Sequence, residues 1–156
     1  MEPILHVRDL HTSFLTSNDE VQAVRGVSFD VEKGKTLGIV GESGSGKSVT
    51  SLSILRLLGT TGKINSGSIR LDGEELTNKS TKEMREIRGK RISMIFQDPM
   101  TSLNPLLPVG EQVGEMLWEH ERSMGKKERQ EKGVENGYFI DTSVVWWNWI
   151  VFVRNE

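Results

Sequence analysis

Alternation of apolar and polar residues predicts half-exposed strands near the N-terminus. Leu5 and Val7 are separated by polar residues, and the same alternation occurs at Val27, Phe29 and Val31. A period of two places every second side chain on one face of a sheet, as in peripheral antiparallel strands. Residues 36–40 follow a Lys-Gly turn and are almost wholly apolar. They predict a short strand that is covered on both faces.

A helical period begins after the sequence GESGSGKS, which starts at Gly41. Apolar residues recur there at helical spacing and form one wide stripe: Val49, Leu52, Ile54, Leu55, Leu57 and Leu58. This spacing predicts a largely buried helix that ends at Gly59. Residues 60–66 are rich in Thr, Gly and Ser and predict a connection, after which a strand runs to an Asp72-Gly73 turn.

Helix and strand signals continue in the second half of the chain. Ser80 followed by Glu83 has the spacing of a capping box, and Gly89 is expected to end that short helix before a strand at residues 91–96. Prolines then keep about ten residues out of regular structure. One face of a further helix is predicted from Val109, Val113, Met116 and Leu117. Charge dominates residues 119–136, which predicts a solvated helix.

Composition changes the picture at the C-terminal end. Three of the four tryptophans lie within residues 146–149, and the composition shifts near Asn136. We therefore expect two parts, residues 1–136 and a tail of residues 137–156. The tail is expected to cover apolar surface, with an interfacial membrane anchor as the alternative. A formal net charge of −2 with interspersed signs predicts no nucleic-acid partner, and the absence of cysteine excludes disulfides and thiolate metal sites.

The sequence GESGSGKS satisfies the phosphate-binding pattern G-x-x-x-x-G-K-[ST]. It lies between a predicted buried strand and the predicted start of a helix, where successive backbone N–H groups converge on an anion. Gly41, Gly44 and Gly46 are expected to allow positive φ and a close approach of backbone to phosphate. Lys47 offers a cation to the β and γ phosphates, and Ser48 offers a hydroxyl to Mg²⁺. A glycine-rich turn without a ligand is the alternative.

The sequences VGESGSGKSVTSLSILRLL and ISMIFQDPMTSLNPLLPVGEQV closely resemble the ATP-binding subunits of bacterial oligopeptide and dipeptide ABC importers. The resemblance implies an α/β fold with a P-loop NTPase core of the ABC type, incomplete in this chain, and an N-terminal antiparallel β subdomain. It also implies ATP and Mg²⁺ as cofactors. The implied partners are transmembrane permease subunits and a second nucleotide-binding subunit, at the cytoplasmic face of the plasma membrane.

The resemblance also implies the roles of individual residues. The nucleotide is expected to contact Gly41, Ser43, Gly44, Ser45, Gly46, Lys47, Ser48 and Val49. Lys47 and Gln97 are the expected catalytic residues, and Ser48 and Gln97 the expected metal ligands. Phe14, in the sequence DLHTSF, stands where such proteins place the aromatic residue that stacks on adenine. A buried or strand-end phenylalanine is the alternative.

Other parts of that family's pattern are missing after Gln97: the LSGGQ-type signature, the strand that ends in Asp-Glu, and the switch histidine. The chain is therefore expected to be truncated and to bind ATP without hydrolysing it alone. Two hypotheses follow, an ATP-hydrolysing subunit that energises peptide uptake and a non-catalytic nucleotide-binding remnant. A small-molecule kinase or GTPase is disfavoured by FQDPMTSLNP and by Thr81, which replaces the aspartate of the Asn-Lys-x-Asp guanine motif.

Overall fold

The computed structural model describes residues 3–96, 104–108, 110–112, 114, 115, 125, 127, 128 and 150–153. The strands in this part of the chain are β1 (Leu5–Leu15), β2 (Glu20–Val31), β3 (Gly62–Leu71), β4 (Glu74–Glu75), β5 (Ile92–Ile95) and β6 (Ile150–Val153). Its helices are α1 (Lys47–Ile54) and α2 (Thr81–Ile87). The described residues belong to two compact units, one within residues 1–93 and 151–156 and the other within residues 94–150.

Four strands of the first unit form an antiparallel sheet in the order β2-β1-β3-β4. β1 is central, with Leu5 opposite Val31 of β2 on one side and Leu71 of β3 on the other. Side chains that are at most 1% exposed form the core beside this sheet: Val7, Leu10, Ile69, Leu71, Leu76, Met84 and Ile92. The sheet confirms the antiparallel β subdomain that the sequence predicts.

The predicted capping box of α2 is present. The Ser80 hydroxyl accepts a hydrogen bond from the Glu83 N–H at 3.3 Å, and the Glu83 carboxylate accepts one from the Ser80 N–H at 2.7 Å. Met84 and Ile87 provide the buried face of the helix. α2 ends one residue before the predicted stop, because Arg88 is extended; Gly89 follows with a φ of 78°, and its N–H donates to the Ile92 carbonyl at 2.8 Å.

Residues 36–40 correct the prediction of a doubly covered strand. They are outside regular secondary structure, and Leu37, Ile39 and Val40 are 42%, 47% and 93% exposed. An apolar strand of this kind needs neighbouring strands, which satisfy its N–H and C=O groups and position the layers that cover it. No strand in the described part of the chain pairs with residues 36–40.

Helix α1 is shorter than its apolar stripe predicts. It ends at Ile54, and the next turn closes by two bonds, from the Arg56 N–H to the Ser53 carbonyl and from the Leu57 N–H to the Leu52 carbonyl. This is a Schellman motif with Arg56 at a φ of 52°, and the left-handed residue stops the helix before Gly59. Two residues of the predicted stripe, Ile54 and Leu55, are buried, and α1 also buries the polar residues Thr50, Ser51 and Ser53.

Two further boundaries differ from the predictions. β3 starts at Gly62, so much of the predicted connection at residues 60–66 is strand that pairs with β1. β5 confirms the strand predicted at residues 91–96, and it pairs with β6 in a two-stranded sheet. β6 lies in the tail of residues 137–156, where the sequence predicted no strand.

In the second unit, residues 104–108 form turns, as their prolines predict. The Gln112 side chain holds this segment: its amide nitrogen donates to the Asn104 and Leu107 carbonyls, each at 2.9 Å. The predicted helix face at Val109, Val113, Met116 and Leu117 lies outside the described residues, as does most of residues 119–136. Within the described part of the chain, no helix is long and apolar enough to cross a membrane.

Candidate functional site

The loop before α1 bends sharply at two glycines. Gly44 and Gly46 have φ values of 79° and 90°, which glycine adopts without the penalty of a Cβ. Between them, the Ser45 N–H donates to the Glu42 carbonyl at 3.2 Å. Gly41 does not have positive φ, so the expectation of three left-handed glycines is wrong at that position. A Cβ there would instead lie 2.7 Å from Ser45 Oγ, so a side chain at position 41 would displace the Ser45 hydroxyl.

The loop leads directly into the N-terminus of α1. Thr50 makes the first helical hydrogen bond, from its N–H to the Gly46 carbonyl at 2.8 Å. The N–H groups of Lys47, Ser48 and Val49 come before that bond, and no side chain caps this helix end in the described structure. Such N–H groups have no partner within a helix, and the helix dipole adds partial positive charge beside them. The arrangement suits an anion.

The Lys47 ammonium group lies over the same loop. It donates to the carbonyls of Gly41 and Glu42 at 2.6 and 2.7 Å and to Ser45 Oγ at 3.3 Å. All three acceptors are neutral, and none of the ion pairs among the described residues includes Lys47. A full positive charge therefore stands uncompensated next to the N–H groups of α1, which favours a multiply charged anion such as a phosphate chain.

The sheet and α2 fix the position of α1. The loop packs so closely on β2 that a Cβ on Gly46 would lie 2.5 Å from the Ala23 carbonyl oxygen. In the last turn of the helix, Ser53 Oγ is hydrogen bonded to Thr12 Oγ1 of β1 at 2.9 Å in a buried contact. Beyond the helix end, Arg88 donates to the carbonyls of Leu55 and Arg56 at 2.7 and 2.9 Å. The loop thus extends from a helix that is held at three points.

Ser48 is the residue of this loop that the sequence predicts as a magnesium ligand. It lies in the first turn of α1, and its hydroxyl makes no hydrogen bond to the described residues. Mg²⁺ prefers oxygen ligands and keeps several waters, so one hydroxyl beside phosphate oxygens is a suitable donor set. Groups of three or more His, Cys, Asp or Glu residues that could hold a metal are absent from the described part of the chain.

A sequence model of the ABC transporter family matches residues 24–144. The chain belongs to the ABC transporter family. It is 56% identical over 132 residues to the dipeptide transport ATP-binding protein DppD of Bacillus subtilis, covering 84% of this chain and 39% of that protein. It is 52% identical over 133 residues to the oligopeptide transport ATP-binding protein OppD of the same organism, covering 85% and 37%. The chain thus spans about two fifths of the length of these relatives.

Solved ABC structures confirm the fold. The described architecture matches a dimeric ATP-binding cassette, MJ0796, in a post-hydrolysis state bound to ADP and phosphate, with a TM-score of 0.67 and 23% identity. The match covers 84% of this chain and 54% of that one. The predicted P-loop core of the ABC type is therefore correct as a fold, and the chain contains part of it.

Phe14 lies on the face of the four-stranded antiparallel sheet that contacts α1. Between Thr12 and Phe14 the pairing of β1 with β3 is regular, so the two side chains share a face. Thr12 contacts α1 through Ser53, and Phe14 is half-buried. The structure thus places Phe14 on the sheet face that contacts α1, while Gln97 lies outside the described residues.

The supporting residues of the site were missed by sequence reasoning. Thr12 is a polar residue on a strand, and it is only 1% exposed in the structure. A buried polar side chain needs a hydrogen-bond partner, which is the feature that points to Thr12 as a supporting residue. Ala23 contributes only a carbonyl oxygen, so its side chain gave no signal. Arg88 was hidden at the end of a predicted short helix, where a cation is common without a specific partner.

Proposed function

We propose that this chain is the phosphate-binding part of an ATP-hydrolysing subunit that energises peptide uptake across the cytoplasmic membrane. The observation that supports it most is that the Lys47 ammonium group lies on the loop that leads into the uncapped N-terminus of α1. The relatives named for dipeptide and oligopeptide transport support peptides as the transported solutes. The proposed site residues are those predicted from the sequence: Phe14, Gly41, Ser43, Gly44, Ser45, Gly46, Lys47, Ser48, Val49 and Gln97.

Phosphoryl transfer depends mainly on positioning and electrostatic stabilisation. The N–H groups of the loop and of α1 hold the phosphate chain, and Lys47 exchanges its carbonyl partners for β and γ oxygens. Ser48 and Gln97 are the proposed ligands of Mg²⁺, which when bound neutralises charge on those oxygens. Gln97 is also the proposed contact to the attacking water.

Phe14 is proposed to stack on adenine. Its place on the α1 face of the sheet and its partly exposed side chain support this role. Stacking accepts any base with an aromatic face and contributes about 1–3 kcal/mol per base in nucleic-acid complexes. The Phe14 ring therefore adds affinity for the base, whereas the loop recognises the phosphates.

The proposed partners are transmembrane permease subunits and a second nucleotide-binding subunit at the cytoplasmic face of the membrane. The dimeric state of the cassette MJ0796, which shares the fold, supports a paired arrangement. In such a pair, hydrolysis requires residues from both subunits, and we propose that this chain supplies the side that carries the P-loop.

The proposal is tested by titrating the purified chain with Mg-ATP and with inorganic tripolyphosphate, in parallel with Phe14→Ala. We expect both ligands to bind the parent chain, and we expect Phe14→Ala to raise the Kd of ATP by about tenfold while leaving that of tripolyphosphate within about twofold. Failure of both ligands to bind the folded parent would contradict the phosphate site. An unchanged ATP affinity in Phe14→Ala would contradict adenine stacking alone.

Hydrolysis is measured separately, because a non-catalytic nucleotide-binding remnant remains the second candidate. Phosphate release is followed for the chain alone and mixed with an intact partner ATPase of the same family. Release that rises in the mixture above the sum of the two separate rates supports the hydrolysing subunit. Tight ATP binding without any such rise supports the remnant.

A further inference from the structure

Gly62 begins β3 directly opposite Phe14 of β1. Its φ lies outside the left-handed region, so its backbone conformation does not require glycine. The limit is space: a Cβ on Gly62 would lie 2.6 Å from Leu58 Cβ, 2.7 Å from the Leu58 carbonyl oxygen and 2.8 Å from Phe14 Cε1. Real Cβ atoms do not approach other heavy atoms this closely, so any side chain at position 62 would displace a neighbour.

The Phe14 ring is the neighbour that moves most readily. Its side chain is partly exposed and rotates about two bonds, whereas the Leu58 oxygen belongs to the backbone segment that leaves α1. Thr12, two residues before Phe14 on the same face, is tied to α1 through Ser53. Phe14 therefore lies against the bare backbone of Gly62 at the point where β1, β3 and the segment after α1 meet.

We infer that Gly62 is a positioning residue for the Phe14 ring in nucleotide binding. This inference rests on the proposed function, in which that ring stacks on adenine. The missing Cβ lets one side of the ring lie against β3, so that the exposed side is available to a base. A larger residue at position 62 displaces the ring and changes the base contact, and it also presses on the backbone at Leu58, which lies outside the phosphate loop.

The test is a double-mutant cycle in the full 156-residue chain. The Kd values of Mg-ATP and tripolyphosphate are measured for the parent, Gly62→Ala, Phe14→Ala and the double variant. Gly38→Ala is the matched control, because Gly38 has no heavy atom within 4 Å of its added Cβ and no left-handed φ. We expect Gly62→Ala to raise the Kd of ATP by about fivefold to tenfold and to leave tripolyphosphate within about twofold.

The double variant shows whether Gly62 acts through Phe14, because the effects of two substitutions on the binding free energy do not add when one residue acts through the other. We expect it to bind ATP as weakly as Phe14→Ala and no more weakly. The inference is wrong if Phe14→Ala weakens ATP binding and Gly62→Ala does not, or if the two effects multiply. Loss of tripolyphosphate binding and of circular dichroism in Gly62→Ala would show that Gly62 serves general packing, which also overturns the inference. If Phe14→Ala itself has no effect, the stacking part of the proposed function fails first.

Discussion

At the scale of single residues, Glu75 shows how one carboxylate stabilises a short turn. It lies in β4 and accepts hydrogen bonds from Ser68 Oγ at 2.5 Å, the Ile69 N–H at 3.0 Å and Thr77 Oγ1 at 2.6 Å. Burial opposes its ionisation, but these donors together with the Thr77 N–H outweigh burial and lower the pKa of Glu75 from 4.5 to about 2. The ionised form is therefore the one that stabilises the fold.

Glu75→Gln is predicted to lower the free energy of unfolding at pH 7 by roughly 1–3 kcal/mol. The hydrogen bonds from Ser68, Ile69 and Thr77 weaken because their acceptor no longer carries a negative charge. The sign of the pH effect follows from a folded pKa below the unfolded one. The contribution of Glu75 is complete above pH 4.5 and is lost as the pH falls towards about 2.

Urea unfolding followed by circular dichroism between pH 7 and pH 2.5 measures this effect. The parent chain should lose stability more steeply than Glu75→Gln below pH 4.5. Glu86→Gln, at an exposed position of α2, is the matched control and should follow the parent. Parallel curves for the parent and Glu75→Gln would contradict the role assigned to this carboxylate.

At the scale of elements, α1 depends on Arg88 for its C-terminal carbonyls. The Schellman bonds engage the carbonyls of Leu52 and Ser53, and Arg88 engages those of Leu55 and Arg56. Burial, followed by the charges of Arg56 and Arg85, lowers the pKa of Arg88. These effects disfavour the charged guanidinium, and its hydrogen bonds to the two carbonyls offset that cost.

Arg88→Met is predicted to destabilise the chain by roughly 1–3 kcal/mol, because it removes the donor from two partly buried carbonyls while keeping an unbranched side chain. Hydrogen exchange should rise first in α1. Arg85→Met is the matched control, since Arg85 is exposed on the same helix. Equal unfolding midpoints and equal exchange in α1 for the two variants would count against this anchoring role.

The elements also show what the sequence predicts and what it does not. Local signals were sufficient for α2, where the capping box involves residues three positions apart, and for the alternating strands of the antiparallel sheet. They were insufficient for residues 36–40, whose state depends on neighbouring strands, and for the end of α1, where Arg56 takes a conformation that usually favours glycine. The P-loop was predictable because one contiguous motif determines it, whereas only the fold brings Ala23 to the loop and Arg88 to the C-terminal end of α1.

At the scale of the whole molecule, exposed apolar residues indicate limited stability for the isolated chain. Val40 is 93% exposed immediately before the phosphate loop, and Leu37 and Ile39 are about half exposed. Unpaired apolar segments of this kind promote aggregation. A ligand that binds only the folded loop shifts the folding equilibrium by mass action.

We therefore predict that Mg-ATP at about one hundred times its Kd stabilises the chain by about 2.7 kcal/mol, which raises the melting temperature by roughly 5–10 °C. Mg-AMP is the matched control, since it lacks the β and γ phosphates and should cause almost no shift. Melting is followed by differential scanning fluorimetry. A cooperative melt above about 60 °C without nucleotide, unchanged by Mg-ATP, would contradict this account of the molecule.

The claim on which the account depends is that the loop starting at Gly41 holds the phosphates of ATP through Lys47. Calorimetric titration of Mg-ATP into the parent chain, Lys47→Ala and Lys35→Ala tests it most directly, because both variants remove one positive charge and Lys35 lies on the exposed segment before the loop. We expect saturable binding to the parent and to Lys35→Ala, with Kd values within about twofold, and an affinity for Mg-ATP that is at least about a hundredfold lower in Lys47→Ala. Equal binding of Mg-ATP by the parent and a folded Lys47→Ala chain would contradict it.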